Sequence, residues 1–495
     1  MVLEAFAQAL GNLTSISIWV WLLLGVIWGL VFGLVPGIGG VTAMAIFLGV
    51  ALFLEPMQAL PVLVALMAVS ATGGSITAVL LGIPGDNVNV VTIFDGFPMT
   101  KKGEGGRALG AALTASVLGG VGPAFFTLGM VIVVLPFVMA LTSMDMVFII
   151  LIGLSFVVMM SKGSMIKGLI SAGVGLLLAT IGLAFSTGEP RFTFGNPYLY
   201  DGIHIIVVAM GLFAIPVMVE LAMKGGTIAE AGTPIKGMHD VWMGAKDVFH
   251  NWKLWLRSSL IGYVFGVMPG VGVTGALFIS YGYAKASSKH PELFGTGVVE
   301  GVIGPESANN AKESGALLTT LALGVPGSVT GAMMLAALII LGFAPGPSML
   351  TEHLDLSLTL LILLAAANVI AVMICYPLAP RMAGIARIPS RLLVPLVVGM
   401  VFVGVYVSQG LIQDVIALLI FSALGVAVRH FGYNAGALIL AFILGRLFED
   451  YLMIGLQVGG PLFFLRPISL FLILIIITIF AYGPLKRVLK RRFLT

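Results

Sequence analysis

Residues 29–40 read GLVFGLVPGIGG, and residues 262–273 read GYVFGVMPGVGV. Seven of the twelve positions are identical, running from Gly29 and Gly262 to Gly39 and Gly272. A second pair follows: 73–85 reads GGSITAVLLGIPG and 315–327 reads GALLTTLALGVPG. Proline removes a backbone donor and stops a helix, while glycine takes conformations that other residues avoid. Each stretch is therefore a break in an otherwise helical segment. At membrane depth, non-helical backbone survives only where protein or a polar cavity covers it. Matched breaks in the two halves of an apolar chain point to a transporter site between internal repeats.

The rest of the chain supplies the apolar context. Of 495 residues, 59% are hydrophobic and 9% charged, with a mean hydropathy of +1.13. A soluble domain carries ~25% charged residues, so the composition excludes one. Apolar runs fill nearly the whole length, many of them matching the ~20 residues that a spanning helix needs. The expected class is an all-α polytopic membrane protein. As one helix, residues 16–54 would reach ~58 Å at ~1.5 Å per residue, against a ~30 Å hydrocarbon core. The chain must fold back at Pro36–Gly40 and, by the same argument, at Pro269–Gly272, giving re-entrant hairpins. The 64 glycines are nearly double the usual ~7%, which suits close helix packing. The N-terminus has neither a basic n-region nor a small-residue cleavage site, so no signal peptide is expected. The single cysteine, Cys375, excludes an intramolecular disulfide.

Lys and Arg in short loops mark the cytoplasmic side. They occur at Lys101, Lys102 and Arg107, at Lys224 to Arg257, at Lys285 and Lys289, and in the tail from Lys486 to Arg492. The loops around Glu55–Gln58 and at 343–354 have none. The bias thus reverses between the two copies, as inverted-topology repeats require. The predicted organisation is a first membrane half (1–223), a cytoplasmic loop (224–253), a second membrane half (254–485) and a cytoplasmic basic tail (486–495).

A helix restarting after a break presents free N–H groups and a positive dipole end, which suits a carboxylate. The break residues Gly37, Gly39, Gly40 and Gly85, and Gly270, Gly272, Gly327 and Ser328, are therefore candidate substrate contacts. The hydroxyls of Thr42, Thr274, Ser75 and Thr77 are candidate cavity groups, although hydroxyls often bond their own helix. Glu306, Asn309 and Asn310 form the most polar stretch near membrane depth. An acidic group there faces a cavity or a partner, the alternative being a cytoplasmic loop and helix cap. Asp86 and Asn87 follow the second break. Asp86 is a candidate cation ligand or a helix cap, and Asn310 offers a second oxygen for Na⁺. Arg446, Glu449 and Asp450 are read as a structural charge cluster at a helix end. The six histidines are scattered, and HExxH, GxSxG and P-loop signatures are missing. An integral-membrane enzyme acting on lipid or isoprenoid substrates is the alternative class, and a channel is a third.

These residues resemble the large membrane subunit of the tripartite tricarboxylate transporters (TctA-like). The blocks that carry the likeness are GLVFGLVPGIGG, GSITAVLLGIPG at 74–85, DGFPMTKKGEGGRALG at 95–110, GVVEGVIGPESANNAKESGALLTTLALGVPGS at 297–328 and FLRPIS at 464–469. The resemblance implies a secondary carboxylate carrier of the bacterial inner membrane, fed by a periplasmic solute-binding protein and accompanied by a small four-helix membrane subunit. It also implies cation coupling, with Na⁺ as the coupling ion and no other cofactor or nucleic-acid partner. An elevator-like motion of one bundle against a scaffold fits this class. Two departures stand out: DNVNVVT follows the first PG where the family has small residues of the TPASAAT kind, and GRLFED at 445–450 replaces a GPLLE-like stretch.

Overall fold

The computed structural model describes residues 2–35, 39–159, 165–184, 187–224, 237–268, 273–385, 390–460 and 462–478. Among the described residues the regular structure is helical, apart from a two-stranded antiparallel ribbon pairing Gly182–Leu183 with Pro190–Arg191. After α1 (Val2–Asn12) come α2 (Ile16–Leu34), α3 (Gly39–Ala51), α4 (Pro56–Leu81), α5 (Val90–Lys101) and α6 (Gly105–Ala140). Next are α7 (Ser143–Met159), α8 (Met165–Ala179), α9 (Ile205–Ala209), α10 (Ile215–Lys224) and α11 (Met238–His250), with a π turn over Met210–Ala214 joining α9 to α10. The second series is α12 (Trp252–Val267), α13 (Val273–Ser287), α14 (Glu300–Leu323), α15 (Val329–Ile340), α16 (Pro347–Thr351) and α17 (Leu354–Ile385). α18 (Ser390–Gln409), α19 (Ile412–His430) and α20 (Ala435–Gly459) complete the helices, with an apolar helical stretch over Pro467–Thr478.

Among the described residues, six helices are long and apolar enough to cross a membrane: Ile16–Leu34, Pro56–Leu81, Gly105–Ala140, Ile205–Met223, Leu354–Ala379 and Ile412–His430. Apart from Pro56–Leu81, which is wholly buried, they keep part of an apolar face uncovered. On α6, Phe125, Phe126, Ile132 and Val133 are each half or more exposed, an arrangement suited to lipid rather than water.

The breaks fall where glycine and proline place them. α2 ends at Leu34 and α3 begins at Gly39. α4 starts with Pro56 in its first turn under a Glu55–Gln58 capping box, and it stops at Gly82 in the left-handed region, φ 68°. α14 stops the same way at Gly324, φ 62°. Beyond that stop, the Ser328 hydroxyl accepts the Gly331 N–H and opens α15.

α4 and α14 are the inner helices. α4 is buried from Ala59 to Leu80, packed against α2, α3, α5, α6 and α17. α14 is buried from Gly301 to Ala322, packed against α12, α13, α6 and α5. Its content is unlike that of its neighbours, because Glu306, Asn309, Asn310, Lys312 and Glu313 all lie in that buried stretch. So polar a stretch can lie inside an otherwise apolar protein because neighbouring helices sheathe it. The break glycines pack backbone on backbone. A Cβ on Gly33 would stand 2.2 Å from the Ser70 carbonyl, and one on Gly266 would stand 2.0 Å from the Lys312 carbonyl. A Cβ on Gly85 would meet the Gly33 carbonyl at 2.2 Å, and one on Gly327 the Gly266 carbonyl at 2.0 Å.

Candidate functional site

The most polar buried locus lies where α14 meets α4, α5 and α6. The Glu306 side chain is fully buried. Its Oε2 accepts from Ser75 Oγ of α4 at 2.6 Å and from Ser116 Oγ of α6 at 3.1 Å, and its Oε1 accepts from Thr92 Oγ1 of α5. Asn89 Nδ2 in turn donates to Ser75 Oγ at 2.8 Å and to the Ala71 carbonyl at 3.0 Å. A carboxylate in this setting carries no cation of its own, because its three partners are hydroxyls. Hydroxyls soften the desolvation of a carboxylate without neutralising it.

One turn along the helix, Asn310 Nδ2 reaches Asn368 Oδ1 of α17 at 2.6 Å, Thr72 Oγ1 at 2.9 Å and the Ala68 carbonyl at 3.3 Å. Its Oδ1 has no hydrogen-bond partner. Asn309 stands beside Glu306, and neither of its amide atoms is in hydrogen-bonding geometry with a described group. Buried amide atoms are paired in most proteins, and an unpaired one costs about 1–3 kcal/mol. The Asn309 and Asn310 side-chain oxygens in one turn of a buried helix leave acceptor capacity for a guest, while the Asn309 amide nitrogen lies beside the Glu306 carboxylate.

The structure thus brings together Ser75, Glu306, Asn309 and Asn310. Placement of 306–310 in the middle of α14 removes the loop-and-cap alternative for this stretch. Other expected residues have local roles. Thr77 Oγ1 bonds the Gly74 carbonyl of its own helix, and Ser328 caps α15. Gly85 and Gly327 are in backbone packing against α2 and α12. Asp86 Oδ2 accepts the Gly40 N–H at 3.2 Å, at the first turn of α3, and Gly39 sits against the same carboxylate with φ 64°. Thr42, a turn further on, is buried. Gly37, Gly270 and Gly272 lie outside the described residues, as do the side chains of Asn87 and Thr274.

One expectation is corrected. α20 runs over Ala435–Gly459, so Arg446, Glu449 and Asp450 lie in its middle and not at its end. Arg446 donates to the Asp201 carbonyl at 2.6 Å, and Glu449 pairs with Arg191 at 2.8 Å. That pairing holds the Arg191 guanidinium above its ordinary value. The cluster fastens the two-stranded ribbon to the helix. The helix continues through these charges because Arg446 and Glu449 find partners in a segment far away in sequence, which no local pattern shows.

The sequence reading also missed Thr92, Ser116, Asn368, Lys312 and Glu313. Ser116 and Asn368 were visible as lone polar residues in apolar runs. Lys312 and Glu313 were visible as charges in a segment required to be buried. Nothing local marked Thr92.

The chain belongs to the tripartite tricarboxylate transporter TctA family. The family match covers residues 19–440. The TctA family is a transporter family and not an enzyme family, and membership makes the chain a multi-pass membrane protein with a role in tricarboxylate transport within a system of three components. A protein of Agrobacterium vitis described as "Uncharacterized 52.8 kDa protein in TAR-I ttuC' 3'region" is 32% identical over 447 residues, 89% of this chain and 87% of its own. An "Uncharacterized protein in TAR-II ttuC' 3'region" of the same organism is 35% identical over 191 residues, 39% of this chain and 79% of its own. No solved structure matches the chain.

Proposed function

We propose that the protein is a secondary transporter that imports small organic di- and tricarboxylates across the bacterial inner membrane. Uptake is coupled to a cation, with Na⁺ the first candidate. The substrate arrives from a periplasmic solute-binding protein, and a small four-helix membrane subunit accompanies the carrier. The observation that carries this reading is the Glu306–Asn309–Asn310 turn of α14, buried at membrane depth with unpaired amide atoms. A purely structural turn would have these atoms paired. Asp86 and Asn310 offer carboxylate and amide oxygens to a cation.

We also infer that the two series of helices, residues 18–120 and 254–350, are inverted repeats, one within each of the two membrane halves (1–223 and 254–485). Three observations support this. Both series run helix, break, helix, long helix, break, helix; the first then leads directly into the long α6, and the second, after the short α16, into the long α17. Their break glycines meet equivalent carbonyls. The end of α5 lies against the 295–298 segment, where Asp95 Oδ1 accepts from the N–H groups of Gly295, Gly297 and Val298. That contact puts two basic loops on one side, in keeping with a cytoplasmic C-terminal tail. Transport would then proceed by alternating access, with an elevator-like movement of the inner bundle around the site.

The test is uptake and binding by Asn309→Ala and Asn310→Ala. A hydrogen bond to a charged ligand is worth about 1.5–3 kcal/mol, so apparent affinity for substrate or cation should fall by roughly 10- to 100-fold. Wild-type affinity for both ligands in both variants would remove these residues from the site.

A further inference from the structure

Lys312 and Glu313 follow the site on α14 and are not used by it. They are 3% and 2% exposed. Among the described residues, Lys312 is the only basic side chain that is buried. Its Nζ lies 2.6 Å from Glu313 Oε1, and this is its one hydrogen bond. An ammonium carries three donors, so two N–H groups of a buried cation are left over. The other oxygen of Glu313 accepts from Thr330 Oγ1 at 3.0 Å. Thr330 Oγ1 is 2.8 Å from Ser328 Oγ, which caps α15. The pair therefore sits at the second break, against the N-terminal turn of a 12-residue helix.

Buried ion pairs are seldom more stable than the apolar residues that could replace them. This one is placed where a rearrangement would matter. From it we propose that Lys312 binds a carboxylate group of the transported anion, and that Glu313 holds its place when no substrate is bound. The proposal rests on the transporter reading given above. A substrate carboxylate takes over the Lys312 ammonium and uses the donors that Glu313 leaves unfilled. Glu313 then loses its countercharge inside the protein. It recovers neutrality by taking up one monovalent cation, either a proton from water or Na⁺. Substrate and cation therefore enter together because two anions compete for one ammonium. No covalent bond changes, and for the one carboxylate that Lys312 binds the charge balances at every step.

The experiment is equilibrium binding to the purified full-length protein in detergent. The probes are citrate, isocitrate, malate, succinate and tartrate, each with and without Na⁺ and across pH. The Lys312→Gln variant should weaken the best-bound probe by roughly 10- to 100-fold. Glu313→Gln should bind at least as tightly as wild type and lose its dependence on the cation. The Lys312→Gln/Glu313→Gln double variant, which buries no charge at this point, should melt near the wild-type temperature and still bind weakly. Affinity that rises with Na⁺ at fixed pH identifies Na⁺, and affinity that rises as pH falls without Na⁺ identifies the proton. If wild type binds and the double variant binds equally well with the same cation dependence, the proposal is overturned while the transporter reading stands. If wild type binds none of the probes saturably, both fall together.

Discussion

At the scale of single residues, Glu306 shows how a charge is kept inside this protein. Its three hydroxyl partners come from three different helices, α4, α5 and α6. Glu306→Gln keeps the shape: hydroxyls at the new amide nitrogen rotate to accept, while those at its oxygen go on donating. Uptake should collapse while the melting temperature stays within a few degrees of wild type; substantial uptake by this variant would assign the carboxylate a packing role only. Thr92→Val removes one donor at nearly constant volume. Losing a hydrogen bond to a charged group costs about 1.5–3 kcal/mol, and the loss should appear as weaker substrate or cation affinity. A Thr92→Val protein that is simply less stable, with unchanged affinity, would refute that expectation. Half of this cluster was legible in the sequence. Glu306, Asn309 and Asn310 stood out because ionisable or amide groups are costly at membrane depth, and Ser75 because its hydroxyl lies in the stretch that leads into the second break. Thr92 and Ser116 did not, because one hydroxyl in an apolar helix usually bonds its own backbone, as Thr114 and Thr127 do here.

At the scale of elements, the breaks are held by close packing as much as by backbone conformation. Gly33→Ala and Gly266→Ala would each drive a methyl group into a carbonyl oxygen at about the distance of a bond and a half, 2.2 and 2.0 Å. Overpacking of this kind costs about 1–3 kcal/mol, and both variants should show lower melting temperatures and impaired uptake. Gly129 of α6 has nothing within 4 Å of a Cβ, so Gly129→Ala should leave both unchanged. Asp95 makes the other key junction, accepting three backbone N–H groups and the Tyr281 hydroxyl. Asp95→Ala strands those donors, and a drop in melting temperature larger than that of Gly33→Ala is expected. The sequence foretold all four breaks from glycine and proline, but not what they press against. A carbonyl 37 residues away, such as Ser70 against Gly33, leaves no local signature.

At the scale of the whole molecule, orientation is the open prediction. In a Cys375→Ser background, single cysteines at Glu55 and Glu352 should react with a membrane-impermeant maleimide from outside. Cysteines at Lys102 and Lys289 should react only after the membrane is permeabilised. Labelling of positions 55 and 289 from the same side would exclude inverted repeats. The helical class was plain from composition, whereas α14 was not recognised as a long helix of the interior because its polar content matches no spanning segment. That content has a consequence for how the protein is made. Inserted alone, a helix with Glu306, Lys312 and Glu313 near its centre would face a cost of about 2.5–3.5 kcal/mol for each charge, so it cannot partition into lipid from the translocon unaided. Of the helices that enclose it, α4, α5, α6, α12 and α13 all precede it in the chain. The ribosome therefore releases this segment after most of the helices that enclose it, with only α15, α16 and α17 still to come, and the order of synthesis solves a problem that hydrophobicity cannot.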